Sequence, residues 1–227
     1  MILAIDTATR VISLALHDGA RLLAERTWRT ENVHTVELAP QVALLLDQVR
    51  VRPQDLSAVA VCIGPGSYTG VRIGLAYAKG LALALGRPVI GISTFDVSLL
   101  ATPVDARTAA VLVPAGRGRH IVARFERVNS GSPWRPVGEP GLYDVAGLGR
   151  ELQAAPVAAI VGEWDGLSQD LLAELATVSR VAAPHDALRR AGALAEAAWR
   201  RQRDNGASTE ESELHPLYIG TISGGTR

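Results

Sequence analysis

The sequence predicts an α/β protein of two lobes, and three observations support this. Short apolar segments rich in β-branched residues alternate with helical segments along most of the 227 residues. Residues 1–104 follow the order β-β-β-α-β-α-β, which is the order of a ribonuclease-H-like lobe. The later residues repeat that order more weakly. The fold class expected is therefore a duplicated ribonuclease-H-like, or actin-like, two-lobe α/β fold with mixed central sheets.

The first lobe begins with three predicted strands, MILAI, VISLAL and LLAERTW. A helix is expected over residues 33–49, followed by the fully apolar strand SAVAVCI, which is typical of a strand buried on both faces. The glycine-rich stretch GPGSYTG then leads into a second helix over residues 70–85. The strand PVIGI and the short helix TFDVSLLA complete this lobe.

The second lobe is predicted from AAVLVPA, RHIVARFE and GLYD as strands, followed by a helix that Asp144 can cap. VAAIVG and VSRVA are further strands, on either side of a helix with Ser168 as its cap. The amphipathic stretch HDALRRAGALAEAAWRRQR is the longest predicted helix. The Pro- and Gly-rich residues 131–141 are a predicted loop, and the polar residues 204–213 are a predicted linker. We place the first lobe at 1–104, with 214–227 returning to it, and the second lobe at 105–213.

Composition excludes several classes of partner and site. The formal net charge is zero, so no strong field draws the chain to nucleic acid or to a membrane. Cys62 is the only cysteine, which excludes an internal disulfide and fits a reducing compartment. The apolar runs fall short of the ~20 residues that a membrane span needs. We expect a cytoplasmic protein with no membrane contact.

Two predicted turns have the character of phosphate-binding turns. The first, DTATR, follows the first strand, and the second, GPGS, opens the second helix, whose free N–H groups attract anions. Glycines there allow positive φ and close approach of a ligand. The candidate cofactor-binding residues are Asp6, Thr7, Thr9, Gly64, Gly66 and Ser67. Plain structural turns are the other interpretation, because the Lys-Ser/Thr pair of a P-loop is absent.

The helix after the glycine-rich turn is apolar on most sides, and so is the helix over 33–49. Small residues four apart form a stripe that would allow another backbone to approach closely. These helices either bury each other or present an interface to a partner. The candidate interface residues are Val36, Ala39, Val42, Ala43, Leu46, Gly70, Val71, Gly74, Leu75, Ala78 and Ala82.

With these residues in view, the chain resembles the TsaB (YeaZ) family. The resemblance rests on LAIDTAT, on His34 and LAP in the first helix, on GPGSYTGVRIGLAYAKGLAL, on GIST and on the closing HPLY. It implies a non-catalytic paralogue and partner of the tRNA threonylcarbamoyl transferase TsaD in threonylcarbamoyladenosine (t6A) formation. It also implies a TsaE-like ATPase as a further partner and tRNA contact only within the complex. Alone, the chain is expected to form a homodimer through the same helices.

The resemblance also implies that no metal and no cofactor are held. The catalytic relative carries two metal-binding histidines after the strand that matches VIGI, and Thr94 and Ser98 stand at those positions here. The family's Asp-Ala-Arg and Gly-Glu on the first strand pair of the second lobe are altered as well, with Pro114 and Arg119 in place of two carboxylates. We therefore expect no catalytic residue and no independent catalysis.

Two other functions remain open at the level of sequence. The chain could be an actin-like ATPase or phosphotransferase acting on its own, with Asp6 as its magnesium-associated carboxylate. Direct tRNA binding would depend on the arginines of RGRH, of residues 189–190 and of residues 200–203. Arginines on the wet face of a helix are usually only solvated, and zero net charge argues against unaided tRNA binding.

Overall fold

The structure, a computed structural model, describes residues 1–31, 34–205 and 214–219, without the side chain of residue 205. Within these ranges the chain forms two compact units. Among the described residues, unit 1 contains those up to 97 together with 189–205 and 214–217, and unit 2 contains 98–188 and 218–219. The predicted helix start at Val33, most of the predicted linker 204–213 and the last residues of the returning segment lie outside the described residues.

The elements follow the predicted order closely. The strands of unit 1 are β1 (Ile2–Asp6), β2 (Val11–His17), β3 (Leu22–Arg29), β4 (Ala58–Cys62) and β5 (Val89–Ile92). Those of unit 2 are β6 (Thr108–Pro114), β7 (Arg119–Glu126), β8 (Arg135–Pro136), β9 (Gly141–Asp144), β10 (Ala159–Gly162) and β11 (Arg180–Val181). The helices are α1 (His34–Gln48), α2 (Tyr68–Leu85), α3 (Thr94–Leu99), α4 (Val145–Ala154), α5 (Gln169–Ala176) and α6 (Ala191–Asn205).

The two sheets share one topology, which confirms the predicted fold class. The first sheet has the order β3-β2-β1-β4-β5, and the second has the order β11-β10-β6-β7-β8, with β9 also paired to β7. In each sheet the first strand of the unit is antiparallel to the strand that follows it. It is parallel to the strand on its other side, β4 for β1 and β10 for β6. The sheets are therefore mixed, as a duplicated fold requires.

Large and small residues alternate along the central strands of the first sheet. Leu3, Ile5, Val59 and Val61 point to one face, where α1 and α2 cover them. The other face carries Ile2 and many alanines, and the apolar side of α6 covers it with Leu194, Ala195 and Ala198. Since successive side chains of a strand point to opposite faces, this alternation gives unit 1 three layers, helix on sheet on helix.

The long amphipathic helix α6 lies in unit 1, whereas the expected division put it in the second lobe with residues 105–213. It begins at Ala191 rather than near His185. Its first turn is held by side chains of the first sheet: the Ala191 N–H donates to Ser13 Oγ at 2.8 Å and the Gly192 N–H donates to Glu25 Oε1 at 2.7 Å. Amphipathic periodicity identifies the buried face of a helix but not the sheet that buries it.

Unit 2 has its own core, built from β6, β7 and β10 with the apolar sides of α4 and α5. Asp144 and Ser168 cap these helices, accepting from the backbone N–H groups of Gly147 and Leu171. The predicted loop over residues 131–141 contains the short strand β8. The Arg127 guanidinium lies 4.3 Å from the centre of the Trp134 ring, and Nε of Arg127 donates to the Ala106 carbonyl, so this side chain ties the loop to the strand ends.

His120 is a buried titratable group in this core. It is 1% exposed, and its Nε2–H donates to the carbonyl oxygen of Asp165 at 2.8 Å. Its Nδ1 has no hydrogen-bond partner among the residues that the structure describes. Burial lowers the pKa of His120 below its usual 6.5, because the charged form loses hydration. The native state therefore binds fewer protons than the unfolded state once the pH falls below about 6.5.

We expect the free energy of unfolding to fall as the pH decreases from 7 through 6.5 towards the lowered folded pKa, since protonation of His120 favours the unfolded chain. Urea unfolding at a series of pH values measures this dependence. His120→Gln keeps an N–H donor and cannot titrate in this range, so its stability should depend less on pH. An equally steep dependence in that variant would assign the effect to other groups.

Candidate functional site

The two predicted phosphate-type turns meet in unit 1, at the ends of β1 and β4. The Ser67 N–H donates to the carbonyl oxygen of Ala8 at 2.6 Å, and the Thr7 hydroxyl donates to the carbonyl oxygen of Gly70 at 2.7 Å. Within the first turn, the Ala8 N–H donates to Asp6 Oδ1 at 2.9 Å. These N–H and O–H groups therefore donate to acceptors within and between the two turns. A phosphate bound at this place would need the same donors to be free.

The glycines of the second turn serve this contact. Gly64 has a positive φ of 95°, whereas Gly66 and Gly70 do not have positive φ. A Cβ atom on Gly66 or Gly70 would overlap the carbonyl oxygen of Ala8 or Thr7, and one on Gly74 would overlap the Thr7 hydroxyl. The expectation that these glycines leave space for a ligand is therefore corrected, because the turn after β1 already fills that space.

Asp6 is paired with an arginine from the far end of the sequence. Nε of Arg189 donates to Asp6 Oδ2 at 2.9 Å, and its Nη2 donates to Oδ1 at 3.2 Å and to the Thr9 hydroxyl at 3.3 Å. The two side chains are 2% and 1% exposed, for Arg189 and Asp6 respectively. The sequence interpretation treated Arg189 as a solvated or tRNA-binding residue, and the structure corrects that.

Thr94 has a structural role in this unit. Its hydroxyl donates to the carbonyl oxygen of Pro65 at 2.6 Å and lies 3.2 Å from the Cys62 sulfur. Burial raises the pKa of the Cys62 thiol to about 12, so the thiol stays protonated. Among the residues that the structure describes, no group of three or more His, Cys, Asp or Glu side chains could hold a metal ion.

The predicted interface residues divide into a buried set and an exposed set. The small-residue stripe of α2 faces the sheet and turns of its own unit and not a partner, because those positions are where β1, β4 and Thr7 come closest. The residues buried within the unit are Val42, Leu46, Gly70, Val71, Gly74, Leu75, Ala78 and Ala82. Those exposed are Val36, Ala39 and Ala43.

The sides of α1 and α2 that point away from the sheet are apolar, with few charges. We call them the outer face, and define it by the exposed residues Val36, Ala39, Ala43 and Leu44 of α1 and Tyr68, Ala76, Gly80 and Leu83 of α2. The Arg72 guanidinium lies 3.7 Å from the centre of the Tyr68 ring. An exposed apolar surface on two neighbouring helices is typical of a protein–protein interface.

The residues after the linker also contact the second turn. The Leu217 N–H donates to the carbonyl oxygen of Ile63 at 2.7 Å, and Leu214 packs into the core beneath α2. A Cβ on Gly64 would come within 2.9 Å of the Leu217 carbonyl oxygen. Positive φ and this close backbone therefore both require glycine at position 64.

Comparisons with known proteins agree on the kind of protein. The family model described as TsaD, tRNA N6-adenosine threonylcarbamoyltransferase, matches residues 28–133. The Bacillus subtilis tRNA threonylcarbamoyladenosine biosynthesis protein TsaB is 42% identical over 95 residues, 42% of each chain. Its Escherichia coli namesake is 43% identical over 93 residues, 41% of this chain and 40% of that one. These alignments thus span about two fifths of the length of the relatives.

Solved structures are similar over nearly the whole chain. YeaZ from Pseudomonas aeruginosa has a TM-score of 0.71 and 25% identity, covering 96% of this chain and 99% of that one. A second Pseudomonas aeruginosa structure, titled an uncharacterized protein with similarity to peptidase YEAZ, has a TM-score of 0.72 and 26% identity over the same shares. The ethanolamine utilization protein EutJ of Carboxydothermus hydrogenoformans has a TM-score of 0.51 and 14% identity, covering 86% of this chain and 88% of that one. This likeness concerns the fold alone.

Taken with the shared topology of the two sheets, these neighbours define the class: the protein has a duplicated actin-like fold. Within that class, its resemblance to the TsaB (YeaZ) family is confirmed by the sequence and structure matches.

The contact between the turns can be tested with two glycines of one helix. Gly70→Ala should lower the free energy of unfolding by about 1–3 kcal/mol, because its Cβ meets the Thr7 carbonyl oxygen. Gly80→Ala is the control, since a Cβ there meets no atom of the described part of the chain within 4 Å. It should stabilise the helix by ~0.5–1 kcal/mol. Denaturant unfolding measures both, and equal effects would contradict the contact.

Cys62 reports on whether the site opens. In the native protein at pH 8 its thiol should react at least about a hundredfold more slowly with a thiol reagent than in the denatured chain, because it is buried and its pKa is about 12. The absence of other cysteines makes the reaction specific. Native reactivity close to the denatured rate would mean that the closed turns open readily.

Proposed function

We propose that this protein is an accessory subunit of the t6A modification machinery of tRNA and pairs with a TsaD-like catalytic subunit. The observation that carries the proposal is the likeness to proteins named TsaB, at 42–43% identity over 93–95 residues. The similarity to YeaZ structures over 96% of the chain supports it further.

The outer face is the surface we propose for this pairing. It consists of positions on α1 and α2 that are exposed in unit 1, in contrast to the buried stripe. The partner we propose is a protein with a similar pair of helices, because the family model that matches residues 28–133 describes TsaD and so indicates that a TsaD-like chain shares this part of the fold. Specific pairs of this kind bury about 1,600 Å² in total.

The remaining parts of the proposal follow from the same likeness. We propose that a TsaE-like ATPase joins the assembly, that tRNA is contacted only within it, and that the protein alone forms a homodimer through the outer face. We also propose a cytoplasmic location and no catalysis by this chain alone. None of the helices in the described part of the chain is long and apolar enough to cross a membrane.

An actin-like ATPase or phosphotransferase is the alternative function. The hydrogen bonds between the two turns count against it, because the Ser67 N–H and the Thr7 hydroxyl serve the opposite turn. Hydrolysis of ATP by the purified chain, lost in Asp6→Asn, would favour this alternative over the accessory role.

Co-purification with the TsaD-like protein of the same organism tests the pairing. Val36→Glu should weaken that binding at least about a hundredfold, because a carboxylate buried without a partner costs several kcal/mol. Val104→Glu is the matched control: both valines are 72% exposed, and Val104 lies in unit 2. Leu83→Glu on α2 and Val128→Glu in unit 2, at 76% and 77% exposed, form a second matched pair.

Sedimentation of the same four variants alone tests the homodimer. The two outer-face variants should be monomers with unchanged circular dichroism, and the two controls should sediment like the wild type. Full binding and dimerisation by both outer-face variants would exclude this face as the interface. An absence of any TsaD-like partner for the wild type would remove the proposed function itself.

A further inference from the structure

Asp6 raises a question that the accessory role leaves open. It ends β1 beside the second turn, the place at which actin-like nucleotide-binding proteins hold a magnesium-associated carboxylate. A magnesium ion in such a site is held by one or two carboxylates together with substrate phosphates. The residues present do not fit this ion, because both oxygens of Asp6 accept hydrogen bonds from the Arg189 guanidinium.

We propose that Arg189 is a built-in cation that occupies the metal position at Asp6 and thereby excludes a metal–nucleotide complex from unit 1. Its guanidinium also donates to the Thr9 hydroxyl, a second side-chain oxygen of the first turn. The planar, positively charged guanidinium binds both carboxylate oxygens through two hydrogen bonds. A hydrated divalent ion could not bind these oxygens while the guanidinium occupies them.

The backbone fixes the arginine in this position. Arg189 lies two residues before the start of α6, whose first N–H groups donate to Ser13 and Glu25 of the first sheet. The next residue, Arg190, pairs with Glu25 by Nε at 2.8 Å, but its side chain is 63% exposed. Consecutive arginines thus have opposite environments, and only the first one enters the site.

The inference concerns binding by unit 1 and is independent of the proposed partner. The positive charge of Arg189 would repel a divalent metal ion at Asp6. Such repulsion gives specificity by weakening the binding of one ligand, without strengthening the binding of another. Removal of Arg189 should therefore create a binding property that the wild type lacks. A purely structural ion pair would lose stability on the same change and gain nothing.

The test is a titration of the whole protein with Mn²⁺ and ADP, read by electron paramagnetic resonance of free Mn²⁺. Paramagnetic broadening of the amide signals of residues 7–9 locates any bound ion. Arg189→Ala should bind Mn²⁺–ADP at least about tenfold more tightly than the wild type, with broadening at these amides. Arg190→Ala is the matched control and should behave like the wild type. Asp6→Asn added to Arg189→Ala should abolish the gain.

Two results would overturn the proposal: wild-type binding of Mn²⁺–ADP that broadens residues 7–9, or a folded Arg189→Ala that gains nothing. If Arg189→Ala does not fold, Arg189→Gln keeps an amide donor to Asp6 without the charge and is titrated in its place. Wild-type binding that broadens these amides would overturn the proposal whether or not either variant folds. Normal pairing with the TsaD-like subunit alongside either overturning result would leave the proposed function intact.

Discussion

The close contact between the turn after β1 and the start of α2 is the constraint on which unit 1 depends. It brings the backbone of Thr7 and Ala8, and the Thr7 hydroxyl, so near to the second turn and α2 that positions 66, 70 and 74 must be glycine. A helix held this close to the sheet presents its small residues inward and its larger residues sideways, to α1. The outer face is therefore a consequence of the turn contact, because the turn fixes the rotation of α2 about its axis.

Much of the fold was readable because the apolar patterns are strong. The fully apolar β4 and the apolar, β-branched residues of β2 identified strands, and the order of elements was enough to indicate a duplicated sheet topology. The sequence could not show which lobe contains α6. Periodicity reports one buried side, and the side chains that hold its start, Ser13 and Glu25, are ordinary strand residues in the sequence.

The sequence predicted where the candidate site lies, but not what its residues bind. Asp6, Ser67 and the glycines do come together, since both turns follow neighbouring strands of one sheet. The same glycine pattern suits a bound phosphate or a neighbouring backbone, and local sequence cannot distinguish them. Arg189 lies 183 positions from Asp6 in a run of similar arginines, so only the three-dimensional structure could select it. The stripe of α2 was misread for a related reason, because small residues suit a partner helix and a sheet equally well.

Unit 1 is discontinuous, since its first part ends at residue 97 and its last helix follows residue 188. During synthesis the ribosome therefore produces residues 98–188 of unit 2 while one face of the first sheet still lacks α6. Throughout that interval the Asp6 carboxylate has no guanidinium, and the alanines of β1 and β4 have no covering layer. The nascent chain thus carries an exposed sheet face and an uncompensated acid until its last helix emerges, so maturation of unit 1 is a late event set by translation.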